Sequence, residues 1–353
     1  MRVKRTLGRI GTVIASLVFV LVGLELATRV LRPQKVFVVT VNTWDPQVGT
    51  RQVPGARGFA ICPEYEIDLI INSKGLRDRE FPYGRLPGAR RILCLGDSFV
   101  CGYGVQADEA YPKVLEQVLT AADGSGNRWE IINAGIGSTG TAHQLAYFAT
   151  EGHRYEPDVV ILGFFMMNDL WDNAISGLYA LEDGALVKHR APRTGARKIQ
   201  LYTRWIPGYN TLFARSHLLN LLKFRVTAMH HQQLTTNDER SSADPDGDRS
   251  RRSEELTCRL LSEFRDVCAE HSCRPVVMLI PPPPGTREQE DQKARLVSHL
   301  VEQGIPCLDL RPGFSETGRY EELFYPRDGH WNVEGHQLAA KLLHNFLVDR
   351  SLL

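Results

Sequence analysis

Four short segments hold the residues able to do chemistry. Gly96-Asp97-Ser98-Phe99 offers a serine hydroxyl, and Asn133-Ala134-Gly135 offers amide donors. Asn168-Asp169 adds a carboxamide beside a carboxylate. Asp328-Gly329-His330-Trp331-Asn332 places an imidazole two residues after another carboxylate. A serine hydroxyl becomes a useful nucleophile when a base takes its proton, and the base works best when a carboxylate orients it. Peptide and side-chain N–H groups can receive the oxyanion formed by attack on a carbonyl. Together these residue types point to acyl transfer. Alone, the Gly-Asp-Ser triplet would equally suit a serine that caps a helix.

Such residues act together only if the fold brings their loops to one place. Five short apolar runs read as strands: 91–95, 129–133, 158–162, 275–280 and 305–310. They alternate with helical patterns at 110–122, 142–151, 253–271, 288–303 and 335–348; in the third of these Leu256, Leu260, Leu261, Phe264 and Cys268 form one stripe. Uniformly apolar strands alternating with helices imply a parallel sheet covered on both faces. Open sheets of this kind bind ligands at the carboxyl ends of their strands. Each of the four segments follows a strand, so all four are expected on that edge. Gly96 would let the chain turn sharply there.

In this order the four segments resemble the four sequence blocks of the SGNH/GDSL hydrolase superfamily. The stretch from Asn72-Ser73-Lys74-Gly75-Leu76-Arg77 to Gly102-Tyr103-Gly104-Val105 resembles membrane-anchored bacterial members. The likeness spans about 90–353 apart from an insertion. It implies an α/β, three-layer α/β/α flavodoxin-like fold with a parallel five-stranded sheet. It also implies hydrolysis or transfer of an acyl group, with Ser98 as nucleophile and His330 as base. The oxyanion donors it implies are the Ser98 and Gly135 N–H groups and the Asn168 side chain. One departure stands out. The common pattern puts the acid three residues before the histidine, where this chain has Arg327, while the carboxylate Asp328 lies two before it. That D-x-H arrangement resembles the related polysaccharide O-acetyltransferases, and Asp328 becomes the expected acid. Asp328 could instead be a turn residue beside Gly329, and Asp309, inside a strand, is the poorer rival. Trp331 and Trp171 read either as sugar-stacking or as core aromatics. The reading is an esterase acting on a carbohydrate or small acyl ester. The alternatives are a polysaccharide O-acetyltransferase and a catalytically silent glycan-binding or scaffold protein.

The N-terminus carries a different signal. Arg2, Lys4, Arg5 and Arg9 precede an uncharged, mostly apolar run from Ile10 to Leu24. Extended to Leu31 it is about 33 Å long as a helix, enough for a ~30 Å hydrocarbon core. Glu25 and Arg29, four residues apart within it, can offset each other. No small-residue cleavage pattern follows, so an uncleaved signal anchor is expected over a cleaved signal or a buried soluble helix. The basic flank would stay cytoplasmic, leaving residues after about 32 outside the cytoplasm, periplasmic or extracellular. The expected organisation is a basic tail (1–9), a transmembrane anchor (10–31), a strand-and-loop lead-in (32–88) and the hydrolase domain (89–353). The lead-in carries no chemistry on residue grounds.

An insertion at about 172–252 interrupts the alternation. Between Ala185 and Asn237 it has nine basic residues (Lys188, Arg190, Arg193, Arg197, Lys198, Arg204, Arg215, Lys223, Arg225) and no acid. This reads as a solvated excursion or as a basic face toward anionic lipid or glycan. His217–Leu234 has an amphipathic helical pattern, and 238–252 is a polar, charge-mixed run expected to be disordered.

Other classes find no support. At 43% hydrophobic and 24% charged, the 353 residues are not a disordered tail, a collagen-like fibre or a polytopic membrane protein. Lys+Arg 42 against Asp+Glu 41 gives a net charge of +1, without the basic excess of a nucleic-acid binder. The seven cysteines include no C-x-x-C pair and there is no H-E-x-x-H, so no metal is expected; His230-His231 reads as a solvated helix face. Disulfides would be allowed outside the cytoplasm, but none can be assigned, and Cys94 reads as a small hydrophobe in a strand. Gly102-Tyr103-Gly104 lacks the third glycine of a dinucleotide fingerprint and reads as loop, so no cofactor is expected. No G-x-S-x-G elbow surrounds Ser98, which argues against the α/β-hydrolase fold. Pro281–Pro284 is expected to stiffen a rim.

Overall fold

The structure, a computed structural model, describes residues 2–34, 36–38, 41–124, 126, 128–192, 208, 212, 215–222, 225, 248–286 and 290–353. His230-His231, Arg193, Arg197, Lys198, Arg204, Lys223, most of the expected 217–234 helix and most of the 238–252 run lie outside the described residues.

The chain begins with helix α1 (Arg2–Leu31). Its stretch Arg9–Leu31 is long and apolar enough to cross a membrane, and its apolar side chains from Ile10 to Leu31 are largely exposed. Next come β1 (Val36–Val38), β2 (Asn42–Asp45), β3 (Gly49–Gln52), β4 (Arg57–Cys62) and β5 (Tyr65–Ile70). They form two small antiparallel sheets, β1-β4-β5 and β2-β3.

The main sheet uses β6 (Ala89–Gly96), β7 (Arg128–Gly135), β8 (Val159–Phe165), and, after a β9 (Tyr179–Glu182) and β10 (Ala185–Lys188) hairpin, β11 (Arg274–Ile280) and β12 (Cys307–Asp309). Their order is β12-β11-β8-β6-β7, and every pairing is parallel. Gly96 pairs with Gly135, so β6 and β7 end level.

Apolar cores lie on both sides of this sheet, because alternate strand residues face opposite layers. One face packs Leu93, Leu95, Val160 and Leu162 against α4 (Thr141–Thr150) and α6 (Asp248–Glu270). The stripe Leu256, Leu260, Leu261, Phe264 and Cys268 is buried there as the spacing requires. The other face packs Ile92, Cys94, Ile131 and Ile161 against α3 (Tyr111–Ala122) and α9 (Val333–Asp349). This is the expected three-layer arrangement. At the amino end of the sheet the fully buried Arg91 meets Glu130 at 2.7 Å and donates to Tyr83 O and Tyr155 O.

Candidate active site

Strand β6 ends where Gly96 allows the chain to fold back on itself. A Cβ at Gly96 would lie 2.1 Å from Val100 Cγ2, so a side chain here would displace the one-turn helix α2 (Ser98–Cys101). Asp97 caps that turn, its Oδ1 accepting the Phe99 N–H at 2.9 Å. Ser98 is therefore the first residue of a short helix at the carboxyl edge of the sheet.

His330 arrives from the far end of the chain on a tight turn. Gly329 N–H donates to Tyr325 O at 2.8 Å, and Tyr325 N–H donates to His330 O at 2.9 Å. Gly329 has φ +82, a region glycine enters without a Cβ penalty. Trp331, with no exposed surface, anchors the turn in the core against Phe99, Phe314 and His336. Of its two readings, Trp331 is thus the core aromatic. The ring of His330 is left with Nε2 2.7 Å from Ser98 Oγ and Nδ1 2.6 Å from Asp328 Oδ1. The Asp328 side chain is 1% exposed. Asp309 is engaged elsewhere, with Arg311 N–H and with Lys293 at 3.1 Å.

Asn168 sits between β8 and α5 (Asp169–Ser176), in a turn held by the Phe165 N–H on Asp169 Oδ2 at 3.0 Å. Its side chain faces the Asp97 carboxylate, so it shares the edge with Ser98. Trp171, one helical turn on, is 42% exposed.

Gly135 closes β7, level with Gly96 at the end of β6. Its N–H donates to Asn133 Oδ1 at 3.0 Å, and a Cβ on it would lie 2.2 Å from Cys101 N. It is the place where β7 and α2 touch. In the next loop Ser138 takes φ +62, an uncommon conformation for a residue with a side chain.

A family model described as the GDSL-like lipase/acylhydrolase family matches residues 94–338. The chain belongs to that family. Among curated proteins none matches the chain. Similar solved structures include TesA (12% identity, TM-score 0.44, covering 75% of this chain and 100% of that one). The psychrotrophic esterase EstA from Pseudoalteromonas sp. is another, at 13% identity and TM-score 0.41 over 74% of this chain and 98% of that one. A mutant of the acetyl-xylooligosaccharide esterase Axe2 from Geobacillus is similar at 15% identity and TM-score 0.43, covering 74% and 95%.

In this GDSL-like serine esterase the lead-in, expected to carry no chemistry, reaches the site at three points. Tyr65 Oη donates to Asp328 Oδ2 at 3.0 Å. Glu64 accepts the N–H groups of Arg327 and Asp328, each at 2.9 Å. The buried Arg77 donates to four carbonyls, those of Asp68, Cys101, Gly102 and Val105, and so ties the end of α2 to the lead-in. The only sequence sign of these contacts was the run 72–77, which contains Arg77; nothing marked Glu64 or Tyr65.

Electrostatics divide the esterase's carboxylates. Burial pushes Asp97 up to about 6, against the pull of the Phe99 N–H and His330. Burial, with the charge of Asp97, pushes Asp169 well above the usual carboxylate range. His336, buried behind Trp331, is lowered to about 3 by burial, and its Nδ1 accepts the Tyr111 N–H at 3.2 Å. It is a neutral core histidine.

Proposed function

We propose that Ser98, His330 and Asp328 form the catalytic triad of a membrane-anchored esterase whose domain works outside the cytoplasm. The observation that carries this is the unbroken hydrogen-bonded chain from Ser98 Oγ through both ring nitrogens to a buried carboxylate. A neutral ring with its proton on Nδ1 donates to Asp328 and accepts the Ser98 O–H on Nε2. As Ser98 Oγ bonds to the ester carbonyl carbon, Nε2 takes the proton and Asp328 stabilises the imidazolium. The Ser98 N–H and the Asn168 carboxamide receive the oxyanion, each such donor being worth roughly 3–4 kcal/mol in the transition state. The imidazolium then protonates the leaving alkoxide. Water, deprotonated by His330, releases the acyl group from Ser98.

In this reading the chain is a basic tail (1–9), an anchor (10–31), a lead-in (32–88) and a hydrolase domain (89–353), and the basic flank of α1 favours a cytoplasmic N-terminus. The exposed Trp171 close to Asn168 offers a flat apolar face suited to a sugar ring, which supports a carbohydrate ester as substrate. The same face would serve a sugar hydroxyl as acyl acceptor in a transferase. A fluorophosphonate probe should label the wild-type chain and leave Ser98→Ala unlabelled. Folded wild-type protein that does not label, or labelling that persists in Ser98→Ala, overturns the triad. Adding a sugar acceptor to a p-nitrophenyl acetate assay separates transfer from hydrolysis.

A further inference from the structure

We propose that the Glu64–Tyr65 corner of the lead-in is a clamp that positions the triad acid, so that the small sheet before the hydrolase domain is part of its catalytic apparatus. This rests on the assignment of Asp328 as that acid. Strands β4 and β5 pair in register from Cys62↔Tyr65 outward, leaving only Pro63 and Glu64 in the turn. The hairpin therefore fixes the direction of both Glu64 and Tyr65. Glu64 spends its two carboxylate oxygens on two successive backbone N–H groups, Arg327 and Asp328. Charge-assisted bonds of this kind are stronger than neutral ones. They fix the backbone from which the Asp328 side chain leaves.

Tyr65 then fixes the side chain itself. One Asp328 oxygen takes His330 Nδ1 and the other takes the Tyr65 hydroxyl. The Tyr65 ring packs against Tyr325 with centroids 5.0 Å apart, and Tyr325 is the residue whose backbone closes the turn under His330. Tyr65 thus braces both ends of the Asp328–His330 pair. Burial and the nearby Asp328 push the phenol far up, so it remains a donor at neutral pH. The D-x-H spacing gives this hold its purpose. With one residue between them, acid and base leave the same turn, and a carboxylate free to rotate there would lose its grip on Nδ1. The titratable groups facing the pair are Glu64, Cys62 and Tyr65 from the lead-in, Tyr325 below the turn, Asp97 behind Ser98, and Tyr103 and His336 around the ring.

The test is Tyr65→Phe in the full-length, detergent-solubilised protein, which removes one oxygen and keeps the ring against Tyr325. The expected result is a fall in kcat of about tenfold with KM little changed. The acid limb of kcat/KM against pH should move to higher pH, because the carboxylate, relieved of a donor, holds the imidazolium proton more tightly. Glu64→Ala should lower kcat further, and Glu64→Gln should recover part of that loss. A wild-type kcat and pH profile in Tyr65→Phe overturns the proposal. So does a loss of rate matched by a lower thermal midpoint with the acid limb unmoved, since that is a merely structural role. Ser98→Ala separates this failure from failure of the triad. An inactive Ser98→Ala beside a fully active Tyr65→Phe rejects the clamp alone, whereas an active Ser98→Ala rejects the triad beneath it.

Discussion

Replacing Asp328 by Asn removes the charge that the proposed imidazolium faces while keeping the shape of the side chain. In the structure the carboxylate oxygen is 2.6 Å from His330 Nδ1 and the side chain is 1% exposed, so water does little to screen the pair. With charge centres about 4 Å apart and an effective dielectric constant of about 20, the attraction is roughly 4 kcal/mol. It is realised mainly when the ring is protonated, in the transition state, so its loss appears in kcat rather than in KM. At about 1.4 kcal/mol per decade this is a fall of roughly a thousandfold. The loss grows if the Asn amide turns its N–H toward Nδ1, because the ring proton must then sit on Nε2, where it blocks acceptance from Ser98. Initial rates on p-nitrophenyl acetate, with fluorophosphonate labelling to count folded active sites, measure it. Asp309→Asn is the control, because Asp309 is held by Lys293 and Arg311 and should leave the rate unchanged. An Asp328→Asn rate within tenfold of wild type, or a larger loss in Asp309→Asn, refutes the assignment.

Asn168→Ala should lower kcat by about 10²–10³ with slow labelling of Ser98 retained, the signature of a missing oxyanion donor. Asp169→Asn should shift the pH dependence of stability. The folded chain keeps a proton on Asp169 that the unfolded chain loses as pH rises past about 4, so the wild type loses stability upward from there. The Asn can still accept the Phe165 N–H and carries no charge, so its thermal midpoint should exceed wild type at about pH 8 and converge toward it near pH 4. A gain that is the same at both pH values contradicts a protonated Asp169. Arg91→Met should cost about 3 kcal/mol in urea unfolding, since it leaves the buried Glu130 with only the exposed Arg128 at 3.2 Å as its cation, and Arg91→Met with Glu130→Leu should regain much of that.

What the sequence made legible, and what it did not, follows from the range over which each signal acts. The main strands and their helices could be read because burial on two faces writes a local pattern, as in Val159–Phe164 or the Leu256–Cys268 stripe. Ser98 and Asn168 could be placed because each comes just after a strand whose direction the alternation fixes, whereas His330, separated from β12 by two short helices, could be placed only through the resemblance of its sequence block. Gly135 is expected as a donor because the family resemblance implies one there. In the structure its N–H meets the Asn133 side chain two residues back, a contact that no periodicity encodes.

The lead-in shows the limit most clearly. Tyr65 and Asp328 are 263 positions apart, and so are Glu64 and Arg327. A tyrosine that begins a short strand and a glutamate in a turn are ordinary in those places, and their partners are a carboxylate already accounted for and two backbone amides. Alternation predicts which edge of a sheet a loop reaches, but says nothing of a small neighbouring sheet that docks against that edge. Asp328 itself was legible only as one of two readings, acid or turn residue. The geometry has room for both: its N–H belongs to the turn that Glu64 holds, and its carboxylate hydrogen-bonds the His330 ring.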